Sequence, residues 1–355
     1  MSITVEAPLA SGPLDIVGDV HGELDALHTL LQQLGYEADG QHRDGRHLVF
    51  VGDLCDRGPD SPGVIERVQR LCEAGHAQCL LGNHELNVLR EDRKSGNGWF
   101  FAENHDHIDG LFPDCRAASA AQREQFPSFF ARLPLSLSRD DLRMVHAAWD
   151  PASLQALGNE ADGRSLADVY SNYGQRAEQW LRDAGLTDAV KKAYQDWGST
   201  LKKEQARVPL LAAIGRRDEH LQVSNPVRVL TSGVERQAKH TFYASGKWRM
   251  VERVAWWHDY QDETPVIFGH YWRWGSTQGQ QRYSRGEPDL FSAQAVNSWL
   301  GPRANAFCVD FSVGARYRQR PLAPGEHYLG RLAAVRWPER ELVFDDGEQL
   351  PLINS

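Results

Sequence analysis

Short apolar runs closed by Gly, Asp, Asn or His set the rhythm of the N-terminal part of the chain. Leu14 to Val17 (LDIV), His47 to Val51 (HLVFV) and Gln78 to Leu81 (QCLL) read as buried strands. Between the first two, Glu23 to Leu34 carries leucines at 24, 27, 30, 31 and 34, a helical period, and Gly35 stops it. Ser61 to Ala74 reads as a second helix, with Ser61 as its cap, Pro62 at the first helical position and Gly75 at the end. Strand, helix, strand, helix, strand predicts parallel βαβ units. Further on, Leu142 to His146 (LRMVH), Pro265 to Phe268 (PVIF) and Ala306 to Phe311 (AFCVDF) are again strand-like, and Leu332 to Trp337 with Glu341 to Phe344 suggest a terminal hairpin. Residues 151 to about 222 are helical in character and polar, and read as an insertion.

The residues just after each apolar run matter more than the run itself. LDIV leads into Gly18-Asp19-Val20-His21-Gly22, HLVFV into Gly52-Asp53-Leu54-Cys55-Asp56-Arg57-Gly58, and QCLL into Gly82-Asn83-His84-Glu85. LRMV ends in His146 and PVIF in Gly269-His270. In open α/β sheets ligands bind beyond the carboxyl ends of the strands, so these side chains are expected to converge. Asp, His and Asn offer oxygen and nitrogen donors, which suit Mn, Fe or Zn better than Ca or Mg. A carboxylate among them can bridge two ions, which would attract phosphate.

Composition narrows the class. The 355 residues allow about two domains, or one with an insertion. A formal charge of −9 argues against general nucleic-acid binding, so positive charge for an anionic substrate must be local. Five cysteines without a CxxC pair fit a reducing compartment. The N-terminus lacks the pattern of a signal peptide, and no apolar run approaches membrane-spanning length. A soluble cytoplasmic protein without a membrane partner is expected.

The motifs GDVHG, GDLCDRG and GNHE, 29 and 23 residues apart, with a later His and a GH, together resemble the metallophosphoesterases of the phosphoprotein phosphatase type. The resemblance covers roughly residues 12 to 150 and 226 to 315. It implies an α/β fold, the calcineurin-like α/β/β/α sandwich, with a core of residues 12–150 and 226–350 and a helical insertion, 151–225, as a cap. The stretch HRDGRHLVFVGDLCDRGPDS is similar to the bacterial branch, which includes diadenosine tetraphosphate hydrolases and RNA-repair phosphatases, whereas GNHE is a spelling common in protein Ser/Thr phosphatases.

The family implies roles. Asp19 and His21 would hold one divalent ion, Asn83, His146 and His270 a second, with Asp53 bridging; Mn2+ is the first choice, Fe and Zn the alternatives. A hydroxide between the ions would attack phosphorus, and His84, oriented by Asp56, would protonate the leaving oxygen. Arg57 would clamp phosphate oxygens, with Arg253 as the second arginine. The substrate is a phosphorylated small molecule, a nucleotide such as diadenosine tetraphosphate, or a phosphoprotein; RNA ends and a non-catalytic metal-binding module are the alternatives.

The sequence departs from the pattern at His146-Ala147-Ala148, where the family often has glycine. Trp272 and Trp274 come after a ligand position and either stack on a nucleobase or pack against the cap. Asn104-His105-Asp106-His107 looks like a metal cluster but follows no apolar strand, so a polar loop is expected. Cys55 lies inside the second motif, where oxidation would inhibit.

Overall fold

A computed structural model describes residues 2–101, 112, 115–160, 163–244, 246–283, 289–291 and 294–354. After a short strand β1 (Glu6–Pro8) come β2 (Leu14–Val17), α1 (Leu24–Leu34), β3 (His47–Phe50), α2 (Ser61–Glu73) and β4 (Ala77–Cys79), the predicted alternation. Helices α3 (Asn83–Leu89), α4 (Gly98–Phe101) and α5 (Ala120–Phe130) lead to a hairpin of β5 (Ser136–Arg139) and β6 (Leu142–Val145). Five helices come next: α6 (Pro151–Glu160), α7 (Leu166–Asp183), α8 (Thr187–Trp197), α9 (Ala212–Val223) and α10 (Pro226–Ser232). Then come β7 (Glu235–Ala244), β8 (Lys247–Arg253), β9 (Val266–Phe268), α11 (Thr277–Tyr283), β10 (Ala306–Cys308), β11 (Ala333–Trp337), β12 (Glu341–Phe344) and β13 (Gln349–Pro351).

Two sheets face each other. One has the order β13-β12-β11-β2-β3-β4, with β2, β3 and β4 parallel; the other runs β1-β5-β6-β9-β10. Period-two alternation explains the sandwich. Leu14, Ile16, Val49 and Val51 turn inward to meet Met144, Ile267 and Phe307 of the second sheet. Val17, Leu48 and Phe50 turn outward and join Leu27, Leu30 and Leu31 of α1 and Val64 and Val68 of α2. Both faces of the strands are therefore buried, and helices cover the outside: the expected α/β/β/α arrangement.

Several local expectations change. The terminal hairpin is not an appendage: β11 pairs antiparallel with β2 and extends the first sheet. Helix α2 is capped by Asp60, whose carboxylate accepts from the Gly63 amide, while the Ser61 hydroxyl accepts from the Asp56 amide. Gly35 closes α1 in the left-handed conformation, φ 92°, as expected of a C-terminal glycine. The pair β7–β8 forms its own sheet, outside the sandwich; Met250 packs with Leu201, Val208 and Ile214 in a separate apolar cluster shared with the helices before it. Trp256 and Trp257 are both buried. No helix among the described residues is long and apolar enough to cross a membrane.

Candidate metal centre and active site

The loops that end β2, β3, β4, β6 and β9 meet at one place. Gly52, with φ 101°, lets two of them touch: a methyl there would lie 2.6 Å from the Gly82 amide nitrogen. Glu85, the last residue of GNHE, ties the same two loops together. Its buried carboxylate accepts from the amides of Asp53 (2.9 Å), Leu54 (2.8 Å) and Gly82 (3.0 Å). Sequence reasoning gave this glutamate no role, although a carboxylate three residues after a loop glycine at a helix start is a capping signal.

The expected ligands come together. His21, Asp53 and His84 offer donor atoms all within 4.8 Å of one another, and so do Asp53, His146 and His270. Asp53 belongs to both groups. Asn83 completes the second, its Oδ1 lying 2.9 Å from His270 Nδ1 and 3.3 Å from His146 Nε2. Asp19 borders the first group, 3.9 Å from His21 Nε2, and accepts from the His270 amide at 3.1–3.2 Å. His84 thus stands in the tight triad where Asp19 was expected.

Donor orientation suits metal binding. His146 Nδ1 lies 2.8 Å from the Val51 carbonyl and His21 Nδ1 3.0 Å from that of Cys55, so each Nε2 faces the site. A backbone carbonyl on the far ring nitrogen is the usual support of a ligand histidine. Electrostatics also call for cations. Burial, with Asp310 and Asp53 nearby, pushes the Asp19 carboxyl well above its usual range. Burial acts the same way on Asp53, but His146, His84 and His21 outweigh it and hold Asp53 well below. For His146 burial opposes the charge, yet the Asp53 carboxylate beside it raises the imidazole to about 10. Burial and Arg57 drive His21 down, toward the neutral form a metal needs. The residues present therefore fit two divalent ions.

Beside the donors stands a dyad. His84 Nδ1 is 2.5 Å from Asp56 Oδ2, and the Trp99 indole donates to Asp56 Oδ1 at 2.6 Å. Arg57 reaches His21 Nε2 at 2.6 Å and His84 Nε2 at 2.9 Å, and its guanidinium lies 4.7 Å from the centre of the Trp272 ring. That contact gives Trp272 a partner other than a nucleobase. Trp274 stacks on Tyr283. Arg253 donates to the His270 carbonyl at 3.3 Å and, with Arg249 from the same strand, lines a cavity of ≈ 250 Å³ over Asp53, Asn83, His84 and His270. Arg249 and Asp310 were missed from sequence. Asp310 is buried and holds the amides of Trp272 (2.7 Å) and Ser312 (2.9 Å). Cys55 is fully buried, and burial with Asp56 and Glu85 pushes its thiol well above its usual value, which opposes the expected oxidation. Residues 104–107 lie outside the described residues.

Comparison with known proteins agrees with this geometry. Residues 12–306 match the calcineurin-like phosphoesterase family. A symmetrical bis(5'-nucleosyl)-tetraphosphatase of Ralstonia nicotianae is 33% identical over 202 residues, 54% of this chain and 59% of that protein. Two asymmetrical bis(5'-nucleosyl)-tetraphosphatases PrpE are also similar. That of Oceanobacillus iheyensis is 49% identical over 80 residues, 22% of this chain and 32% of its own. That of Halalkalibacterium halodurans is 49% identical over 201 residues, 52% of this chain and 72% of its own. The chain spans less than two thirds of the length of the first two.

Proposed function

The chain belongs to the calcineurin-like phosphoesterase family, and from that premise we propose that it is a two-metal phosphoester hydrolase acting on nucleoside polyphosphates such as diadenosine tetraphosphate. The observation that carries the reading is the position of Asp53 in two donor groups at once, with the His84–Asp56 pair beside them. Asp19, His21 and Asp53 would hold one ion, and Asp53, Asn83, His146 and His270 the other. When bound, divalent ions supply Lewis acidity that polarises phosphoryl oxygens and makes water acidic enough to attack at neutral pH. The nitrogen and oxygen donors favour Mn2+, with Fe and Zn as alternatives.

The chain's own residues do the rest. Arg57 leaves the histidine nitrogens and sets its fork on two phosphate oxygens, which a lysine could not match. Trp272 backs that guanidinium. Arg253 takes a further oxygen from the opposite wall. His84 would present a proton on Nε2 to the leaving oxygen, while Asp56, held by Trp99, accepts from Nδ1 and fixes the orientation of the ring. Helices 151–225 form a cap, and their shared apolar cluster with Met250 extends that unit to the β7–β8 hairpin. Free cysteines at 55, 72, 79, 115 and 308 suit a reducing cytoplasm.

Incubation with Mn2+ and diadenosine tetraphosphate, with products separated by chromatography, tests the reading. ADP as sole product means symmetrical cleavage, and AMP with ATP asymmetrical cleavage. An intact substrate, with an aryl phosphate still hydrolysed, would replace the polyphosphate by a phosphomonoester and make phosphopeptides the next substrates.

A further inference from the structure

A second cavity of ≈ 470 Å³ opens beside the metal centre. It shares Asn83, Ser232, Glu235, Arg249 and Val251 with the cavity over the metal ligands, so the two are continuous. Its walls come from the end of α3, from α9 and α10 of the helical region, and from β8. Six cationic side chains line it, Arg90, Lys94, Arg217, Arg228, Lys247 and Arg249, against three acidic ones. In a chain of net charge −9, that local excess needs an explanation.

Part of the charge is matched internally. Asp92 pairs with Arg90 (3.2 Å) and Lys94 (3.0 Å), and Asp218 with Arg217 (2.8 Å). Arg228 and Lys247 take part in no ion pair among the described residues. Arg228 is nevertheless held. Its guanidinium lies 5.2 Å from the Tyr170 ring centre, and that of Arg90 lies 3.7 Å from the same ring. Two guanidinium groups set on one buried tyrosine lose little further freedom on binding an anion.

We propose that this groove is a distal phosphate subsite, which takes the phosphates of a polyphosphate chain beyond the one lying at the metal ligands, with Arg228 and Lys247 as its specificity-determining contacts. The proposal rests on the hydrolase reading above and narrows it: a lone phosphate fills the first cavity only, whereas a polyphosphate reaches both.

Calorimetric titration of the Mn2+-loaded full chain with orthophosphate and with inorganic tripolyphosphate, at equal free Mn2+, separates the two cavities. Wild type should bind tripolyphosphate at least about tenfold more tightly than orthophosphate, the scale of one added charge-assisted contact. Arg228→Ala and Lys247→Ala should each shrink that ratio severalfold and leave orthophosphate affinity and aryl phosphate turnover within about twofold. Lys247 is exposed, so its variant keeps the test independent of folding. An unchanged ratio in both variants, or an equal loss for orthophosphate, overturns the proposal. Failure of the groove is distinguishable from failure of the hydrolase reading. If diadenosine tetraphosphate is not cleaved but the ratio collapses in the variants, the substrate falls and the groove stands. If it is cleaved and the ratio does not move, the groove falls alone.

Discussion

His21, Asp53, Asp56, Arg57, His270 and Trp272 all hold φ between 48° and 74°, in the left-handed region. For non-glycine residues that costs roughly 1–3 kcal/mol each. Such strain gathers where side chains must point at one spot, and here it marks the ends of strands whose loops turn back to the site. Asp, Asn and His tolerate this conformation better than other residues, which is part of why a strand can end in them. Among these side chains His84 has the most direct test. His84→Ala should lower turnover by about 10² or more, the scale of a lost general acid, while metal content stays near wild type. Full turnover would remove the proton-transfer role. His146 behaves differently. With its imidazole raised to about 10, it carries a proton at neutral pH that an entering ion must displace. Rising pH therefore removes a competitor, and Mn2+ affinity should tighten by about tenfold per pH unit between about pH 6 and pH 8. Equilibrium dialysis across that range checks the slope; a flat profile contradicts it.

At the level of elements, the site is a set of loop ends locked by backbone contacts. Gly269 follows β9 so closely under Asp19 that an added methyl would collide with its Oδ1. Gly269→Ala should thus displace Asp19 and reduce turnover by about 10², as misplacing a reacting group by about an ångström does; turnover near wild type would mean that Asp19 has room to shift without harm. The βαβ alternation and the strand-end chemistry were legible because buried parallel strands are short apolar runs and their exits are polar. The β7–β8 hairpin was not: exposed and buried positions mix along it, and Arg236, Lys239 and His240 obscure any two-residue period. Asp60 rather than Ser61 caps α2, because both are good capping residues at adjacent positions and only the hydrogen bond to Gly63 decides. Glu85 and Asp310 stayed hidden for another reason. They act on backbone amides of distant loops, and the capping spacing of Glu85 announces only its bond to Gly82, not those to Asp53 and Leu54.

On the scale of the whole molecule, one anionic chain concentrates cations along two joined cavities and buries carboxylates at their inner end. Arg57 and Arg253 line the first cavity, and Arg228 and Lys247 line the second. His146, His84 and His21 offset part of the cost of burying Asp53, and in the proposed reading divalent ions would offset the rest. The proposed two-metal centre rests on the shared position of Asp53, and the measurement that tests it most directly is metal stoichiometry in Asp53→Asn. Asn adopts the left-handed backbone that position 53 requires, so the loop should fold, but a neutral amide cannot bridge two cations. Elemental analysis should find two divalent ions per wild-type chain, and in the variant at most one, with turnover lost. A variant that keeps both ions at wild-type affinity, or a wild-type chain that binds only one, would contradict the two-metal centre.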